Sequence, residues 1–309
     1  MLSTTRASSS VEDRIGMQLF KNLDKDTRRK LKKLFTNPTA LLGCVLLAFY
    51  LLVAVLAPLL APPSDPQNPY IIPRLGFLTE PQPPSAEAIF GTTEGQYDIF
   101  YAVVWGTRTA FKIGFLVVFC TTLIGMAVGA VAGYYRGVTD EILMRITDVF
   151  MSIPFLIAVI VLTTLLGKGL NKVIIALIAF DWMDTARLLR GNVLQAREEE
   201  YVQAARALGF SDFRIIVMHI LPNTTFPVLI QATMRIGTLV VVASGLSFLG
   251  LGAPQDYADW GQIISYSRNW QGLEFWYTIF FPAFGMVLFV LAWNLIGDAL
   301  RDIFDPRLG

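Results

Sequence analysis

Long apolar stretches without a charged residue constrain this chain more than any other feature of its sequence. Bilayer hydrocarbon is about 30 Å thick, so a helix needs roughly 20 apolar residues to cross it. Four stretches meet that requirement without a single Asp, Glu, Lys or Arg: 40–60, 113–135, 149–167 and 276–296. The sequence therefore predicts an all-α membrane protein.

Two further stretches extend the prediction to six transmembrane helices. Residues 226–250 are long enough but contain Arg235, and residues 173–180 are apolar for only eight positions before Asp181 and Asp184. The basic residues support the shorter stretch, because Lys and Arg accumulate in cytoplasmic loops. With six spans and a cytoplasmic N-terminus, the cytoplasmic segments hold 18 of the 25 Lys and Arg residues. Both termini are therefore predicted to be cytoplasmic.

Composition and motifs exclude several classes of protein. Hydrophobic residues make up 54% of the chain and charged residues 16%, against roughly 25% charged in an average soluble protein. Two cysteines cannot build a disulfide scaffold, and one histidine excludes a multi-histidine metal site. The phosphate-binding pattern G-x-x-x-x-G-K-[S/T] is absent, so we assign no ATP site and no catalytic residue to this chain.

A segment over residues 187–222 has a helical pattern of its own. Residues 199–208 place acids before alanines and arginine, and Gly209 follows where a helix is expected to end. Ser211 is a natural N-cap for a second helix, which Pro222 would stop. The apolar spacing predicts one face on each helix: Tyr201, Ala204, Ala205 and Leu208 on the first, and Phe213, Ile216, Val217 and Ile220 on the second. Such an element fits a groove of a partner protein or lies on the membrane surface.

This segment resembles the EAA loop of permease subunits from binding-protein-dependent ABC importers. The run YVQAARALG at 201–209 and HILPN at 219–223 match the family's alanines, glycine, leucine and proline. Gln203 replaces the family's glutamate, and His219 replaces an isoleucine. The run LSFLGLG at 246–252 and the chain's last residues resemble the oligopeptide, dipeptide and nickel branch, whose members are DppC- and OppC-like. The resemblance covers residues 30–309.

The resemblance implies a MetI-like type I importer permease in the cytoplasmic (inner) membrane of a bacterium or archaeon. Its partners would be the lipid bilayer, a second homologous permease, an extracellular or periplasmic solute-binding protein, and two cytoplasmic ATPases that bind the ATP and Mg. No nucleic acid is expected. By carry-over, the residues that couple to the ATPases are Gln203, Ala204, Ala205, Arg206, Leu208, Gly209, Ser211 and Pro222.

The family pattern also predicts which residues face the binding protein. After the first span, the peptide branch usually shows G-T-D, G-R-D, an arginine and G-x-R. This chain keeps Asp98, Gly106 and Arg108 of that pattern but departs from it at Gln96, Tyr97 and Ala102. We expect the three kept residues and Trp260 to face the binding protein.

The predicted organisation has five parts. They are a basic cytoplasmic arm (1–39), a first transmembrane helix (40–60), a Pro-rich extracytoplasmic loop (61–106), a five-helix transport domain (107–301) and a cytoplasmic tail (302–309).

The charges within and beside the spans leave alternatives open. One interpretation is that Arg235 lines the translocation path or meets a peptide carboxylate. The other is that it forms a structural ion pair or extends to the cytoplasmic interface. Asp181 and Asp184 are predicted to solvate a helix end or to pair with Arg187 and Arg190.

Small residues on the second span predict a close helix contact. Gly125, Gly129 and Gly133 recur every four residues. This row favours packing against another helix, either in the same subunit or in the sister permease.

These observations together predict a transport subunit without chemistry of its own, and the resemblance to the oligopeptide and dipeptide branch implies that its solute is a di- or oligopeptide. Nickel or another small solute is the alternative cargo. An ion-coupled secondary transporter is a further alternative, which would usually show paired acids near mid-membrane or inverted repeats. A membrane enzyme would need a cluster of catalytic polar residues at a span end.

Overall fold

The computed structural model describes residues 37–270 and 272–304, which confirm the expected all-α architecture. The helices in chain order are α1 Pro38–Leu60, α2 Ile99–Tyr135, α3 Gly137–Ser152, α4 Phe155–Leu166, α5 Leu170–Phe180, α6 Met183–Ala196, α7 Glu200–Ala207, α8 Asp212–Ile215, α9 Leu221–Thr224, α10 Phe226–Phe248, α11 Trp260–Ser265 and α12 Tyr277–Phe304. Nearly all of the predicted basic arm and most of the predicted tail lie outside the described residues.

Four of these helices are long and apolar enough to cross a membrane, namely α1, α2, α10 and α12. Helices α3 and α4 pass the same test together but are bent by 85°, so the described residues supply five crossings if the pair is one span. These counts rest on length and composition. The number six therefore stays a prediction.

The predicted third span is not one straight helix. It breaks at Ile153 and Pro154, where Ile153 has an extended backbone with φ −91° and ψ 126°. Proline disfavours a helical conformation in the residue before it and has no N–H to donate. Apolar residues continue across this break, so hydropathy alone does not detect it.

The predicted fourth span contains an even shorter helix. Helix α5 has 11 residues, and α6 begins after a break at Asp181 and Trp182. An 11-residue helix is about 16 Å long, roughly half of the bilayer hydrocarbon. Val173, Ala176 and Leu177 are fully buried, so α5 is held largely by protein packing.

Helix α2 begins well before the apolar stretch that predicted it. The Asp98 carboxylate caps its start by accepting hydrogen bonds from the backbone N–H of Phe100 at 2.8 Å and of Tyr101 at 3.3 Å. Arg108 and Lys112 interrupt the hydropathy of this first part. Because the Arg108 guanidinium donates to the Ala54 carbonyl of α1, its charge is accommodated between the two helices.

The long helices pack around a cluster of aromatic side chains. Tyr50 of α1, Trp260 of α11, and Phe289 and Trp293 of α12 lie together, with the rings of Tyr50 and Phe289 5.3 Å apart. The Tyr50 hydroxyl donates to the Gly285 carbonyl at 2.6 Å, which satisfies its polar group inside the bundle.

The chain connections gather at two opposite ends of the bundle. One end, here the loop end, carries residues 61–98, 249–270 and 272–276. Hydrogen bonds from Ile72 N–H to Asp256 O and from Ala258 N–H to Tyr70 O join the first of these loops to the second. The other end carries the short helices between α6 and α10. This arrangement separates the two surfaces on which external partners could act.

Candidate functional site

The segment between α6 and α10 forms a helix–turn–helix, as its sequence predicts. Helix α7 ends at Gly209, whose φ of +78° lies in the left-handed region that favours glycine. The N–H of Phe210 donates to the Ala205 carbonyl at 3.2 Å, which closes the helix end. Ser211 occupies the N-cap position of α8 by its backbone, but its side chain makes no capping hydrogen bond.

The helix does not stop at Pro222 as the pattern predicted. A π-helical turn over Ile216–Ile220 leads from α8 into α9, and Pro222 lies in the first turn of α9. Pro222 has no N–H to donate, but the π-helical turn before it keeps the backbone helical, with the Leu221 N–H donating to the Ile216 carbonyl. The chain therefore enters α10 along an almost continuous helical path.

The bundle covers only part of each predicted apolar face. On α7 the buried residues are Val202 and Ala205, whereas Tyr201, Ala204 and Leu208 are exposed. The spacing of Val202 and Ala205 is equally helical, and only contact with the bundle decides which face is covered. On the second helix, Ile216 and Ile220 are buried, but Phe213 and Val217 are exposed.

The exposed side chains leave an apolar surface on this segment, here called the segment surface. Leu208 is 73% exposed, and the other large apolar members are also open to solvent. The set consists of Tyr201, Leu208, Phe213, Val217 and Met218. Exposed apolar groups concentrated on a short element mark a protein or membrane contact.

Polar contacts fasten the segment to the end of α2. The Tyr134 hydroxyl donates to Asp212 Oδ1 at 2.7 Å, and Arg197 donates to the Tyr134 carbonyl. The Arg206 guanidinium lies 5.1 Å from the centre of the Tyr134 ring. Sequence analysis did not detect Tyr134 and Asp212, because nothing local indicates that residues so far apart in sequence meet.

A second constellation joins α10 to the break between α5 and α6. Arg235 Nη1 donates to Asp181 Oδ1 at 2.5 Å and to the Asp181 carbonyl at 2.9 Å, and Nη2 pairs with Asp184. Asp181 is buried, Arg235 is half-buried and Asp184 is more exposed. Of the alternatives for Arg235, the structure therefore shows an ion pair.

The expected roles of the two aspartates are corrected by these contacts. Arg187 pairs with Asp148 at 2.5 Å, and Arg190 makes two bonds to Asp140 at 2.5 and 2.6 Å. Both arginines point from α6 to α3, whereas Asp181 and Asp184 turn to α10. The predicted pairing with sequence neighbours was wrong, because carboxylates of α3 bind the two arginines and Arg235 of α10 binds the two aspartates.

A cavity of about 520 Å³ opens beside this charge cluster. Its walls come from the α3–α4 bend, the α5–α6 break and α10. The apolar lining includes Met151, Ile153, Phe155, Phe180, Leu239 and Val242. An apolar pocket with a few convergent charges is the usual form of a small-molecule site.

The glycine row of α2 packs within this subunit. A Cβ on Gly129 would lie 2.5 Å from the Ala186 carbonyl oxygen, and one on Gly133 would lie 2.9 Å from the Arg190 carbonyl oxygen. Helix α6 therefore approaches the backbone of α2 closely. Of the two alternatives for this row, the structure supports the contact inside the chain.

The four residues expected to face a binding protein lie at or near the loop end and make contacts within the chain. Asp98 caps α2 and Arg108 bonds to α1, as described above. Trp260 is 2% exposed, and its indole N–H donates to the Val103 carbonyl at 3.1 Å. Gly106 leaves room for this ring, because a Cβ there would lie 2.7 Å from it. Their orientation toward a partner stays a prediction.

Asp259 at the loop end makes stability depend on pH. Its carboxylate is buried and accepts a hydrogen bond from the Gln262 N–H at 2.9 Å, and burial raises the pKa of Asp259 from 3.8 to about 6. The folded state therefore binds the Asp259 proton more tightly than the unfolded state does. As a result, the free energy of unfolding falls as pH rises from about 4 to 6, and it stays lower at higher pH.

We expect Asp259→Asn to remove this pH dependence while keeping the helix cap, since asparagine is also a good N-cap. The raised pKa of Asp259 corresponds to roughly 2–3 kcal/mol of lost stability at neutral pH, and the variant should regain that amount. Thermal unfolding of both proteins at several pH values between 4 and 7 measures it. A constant difference between the two unfolding midpoints would contradict the prediction.

Comparisons with known proteins agree with this architecture. A family model described as binding-protein-dependent transport system inner membrane component matches residues 125–309, and one described as the N-terminal TM domain of oligopeptide transport permease C matches residues 26–84. The dipeptide transport system permease protein DppC of Alkalihalophilus pseudofirmus is 38% identical, over 91% of this chain and 90% of its own length.

A second sequence relative and a solved structure are also similar to this chain. The oligopeptide transport system permease protein OppC of Bacillus subtilis is 35% identical over 88% of this chain and 87% of its own. A chain of the MetNI methionine ABC transporter in inward-facing conformations shares the fold, with a TM-score of 0.53 and 22% identity over 66% of this chain and 96% of that chain. This chain therefore belongs to the family of inner membrane components of binding-protein-dependent transport systems.

Proposed function

We propose that this chain is the permease subunit of an ATP-driven importer for dipeptides or oligopeptides. Relatives with more than a third of their residues identical, over nine-tenths of the chain, are dipeptide permease proteins. The single observation that carries the mechanism is the segment surface, an apolar patch on a glycine-closed helix–turn–helix. It has the form of an element that seats in a groove of another protein.

The proposed topology has six crossings with both termini in the cytoplasm. The bent pair α3–α4 would be one crossing, and α5 with the start of α6 would be another, held by protein packing. Supporting this orientation, Arg187, Arg190, Arg197, Arg206 and Arg214 would then be cytoplasmic, as the distribution of basic residues requires. The membrane would be the inner membrane of a bacterium, or the cytoplasmic membrane of an archaeon.

The proposed assembly assigns a partner to each end of the bundle. Two ATPase subunits, which hold the ATP and Mg, would bind at the short-helix end, and this chain would hydrolyse nothing itself. A solute-binding protein would dock at the loop end. A second permease would complete the translocation path between them.

The contacts of the segment suggest how motion reaches the path. Closure of the ATPases would displace α7 and α8, and the bond between Tyr134 and Asp212 would transmit the displacement to α2. Because α2 packs tightly along α6, α6 would move with it, and α6 begins at the wall of the cavity. Rigid helices that shift between two packings are a recognised way of switching a transporter.

Substitution of Leu208 tests the coupling. Leu208→Asp places a charge on the exposed segment surface without entering the chain's own core, so we expect the permease to fold but to lose its ATPases. Peptide uptake should fall at least tenfold. Co-purification of the ATPase subunits with the tagged permease complex is the direct measurement.

Leu273→Asp is the matched control, because Leu273 is 94% exposed at the opposite end. That variant should retain the ATPases fully. Ala205→Asp is unsuitable, since Ala205 is buried within this chain and its loss would unfold the segment. Equal ATPase recovery with Leu208→Asp and the unmodified protein would refute the proposed coupling.

A further inference from the structure

We propose that the cavity beside Arg235, Asp181 and Asp184 is a subsite for a cationic amino group of the transported solute. For a peptide this group is the α-ammonium, and Asp184 is the residue that receives it. The inference deepens the proposed function and depends on it. It is carried by the depth of the cluster, its charge balance and the shape of the cavity.

The position of Arg235 within an apolar helix argues against contact of the charge cluster with lipid. Arg235 lies near the middle of the 23-residue helix α10, roughly 14 Å from the helix start at 1.5 Å per residue. Ionised side chains at such depth face the bundle interior or a water-filled cavity. The cavity borders this cluster, so the exposed side chain of Asp184 faces the cavity and not the lipid.

The charge balance of the lining favours a cation. Among the described residues that line the cavity, two carboxylates face a single guanidinium, which leaves one negative charge in excess. Asp181 is fully occupied by protein, since Arg235 bonds to Oδ1 and the Thr121 hydroxyl lies 3.4 Å from Oδ2. The excess charge is therefore presented by Asp184.

Asp184 is placed to bind a second cation. Arg235 pairs with only one of its carboxylate oxygens, Oδ2. The Asp184 side chain remains 48% exposed, so its other oxygen, Oδ1, is accessible to a ligand. An ammonium group has three N–H donors and pairs with a carboxylate as a compact point charge. Beside the apolar walls of the cavity, such a pair gains more than it would in open water.

The rest of the cavity suits a ligand with variable side chains. Its volume of about 520 Å³ is within the usual range for small-molecule sites. Met151 and Met183 belong to the lining, and methionine adapts its shape to different apolar partners. A fixed charge beside adaptable apolar walls would recognise the constant amino group of a peptide and tolerate differences in its residues.

Binding of alanyl-alanine to the assembled importer, measured without the binding protein, tests the subsite. We expect Asp184→Asn to weaken this binding about tenfold, which corresponds to ~1.4 kcal/mol. Asp184→Glu should restore most of the affinity. N-acetyl-alanyl-alanine, which has no ammonium group, should bind weakly to the unmodified importer and be unaffected by the substitution.

Asp148→Asn is the matched control. Asp148 is 47% exposed and pairs with Arg187 at 2.5 Å, yet it does not line the cavity, so binding should not change. Unchanged affinity in Asp184→Asn, or an equal loss for the acetylated peptide, would overturn the subsite. Retention of the ATPases in every variant separates this outcome from a failure of the proposed coupling.

Discussion

Gly129→Val is expected to prevent stable folding of this permease. The β-carbon would lie 2.5 Å from the Ala186 carbonyl oxygen and 3.0 Å from the Arg190 backbone nitrogen, both in the backbone of α6. Backbone atoms cannot rotate away as a side chain would, so α2 and α6 must separate. Overpacking typically costs about 1–3 kcal/mol and occasionally more, and a branched side chain forced against backbone belongs at the upper end of that range. Yield of folded complex and its thermal midpoint in detergent measure the effect.

Gly191→Ala provides the control on the facing helix. A Cβ at Gly191 meets nothing within 4 Å, so this substitution introduces no clash. Alanine is the better helix former by roughly 1 kcal/mol, and the variant should be as stable as the original or slightly more so. If Gly129→Val unfolds at the same temperature as Gly191→Ala, α2 and α6 do not pack as the structure shows.

Arg235→Met should cost the folded state about 3–5 kcal/mol, the range for removing one partner of a buried ion pair. Methionine keeps an unbranched apolar stem but leaves the buried Asp181 carboxylate without its guanidinium. Adding Asp181→Asn to the same chain should recover most of the loss, because the group left behind is then neutral. Arg235→Lys should recover only part, since one ammonium cannot span two carboxylates as a guanidinium does. Unfolding midpoints of the single and double variants give the comparison.

Arg187→Met is the control for a pair of the same chemistry outside the cavity. Both partners, Arg187 and Asp148, are half-exposed, so their pair is screened and contributes at most about 1 kcal/mol. A loss as large as that of Arg235→Met, or no rescue by Asp181→Asn, would show that Asp181 is not the buried charge that the structure indicates.

The helix–turn–helix between α6 and α10 shows how much of a structure local sequence patterns can predict. The helix over 200–207 and the glycine that closes it follow from propensity and from the left-handed backbone at Gly209, both of which act within a few residues. Which face of α7 is covered does not follow from them. Val202 and not Tyr201 is buried, because the contact with α2 and α6 selects between two helical spacings of equal quality.

Local sequence patterns predicted neither the bend at Pro154 nor the partners of Arg235. Hydropathy averages over a window, so it registers the apolar content of residues 149–167 but not the single peptide unit that turns the chain by 85°. An arginine in a span signals that some partner exists, because an unpaired charge is costly there. Nothing in the sequence near Arg235 indicates that its partners are Asp181 and Asp184, more than fifty residues earlier in the chain.

The sequence alone determined that this is a helical membrane protein with a glycine-closed helix–turn–helix, since apolar length and helix ends are properties of short stretches. Only the tertiary structure decided that Asp181 and Asp184 pair with Arg235 and that the glycine row of α2 packs against α6. It also decided that Leu208 and Phe213 are exposed. These outcomes depend on which distant surfaces meet when the bundle closes, and a linear pattern does not encode that geometry.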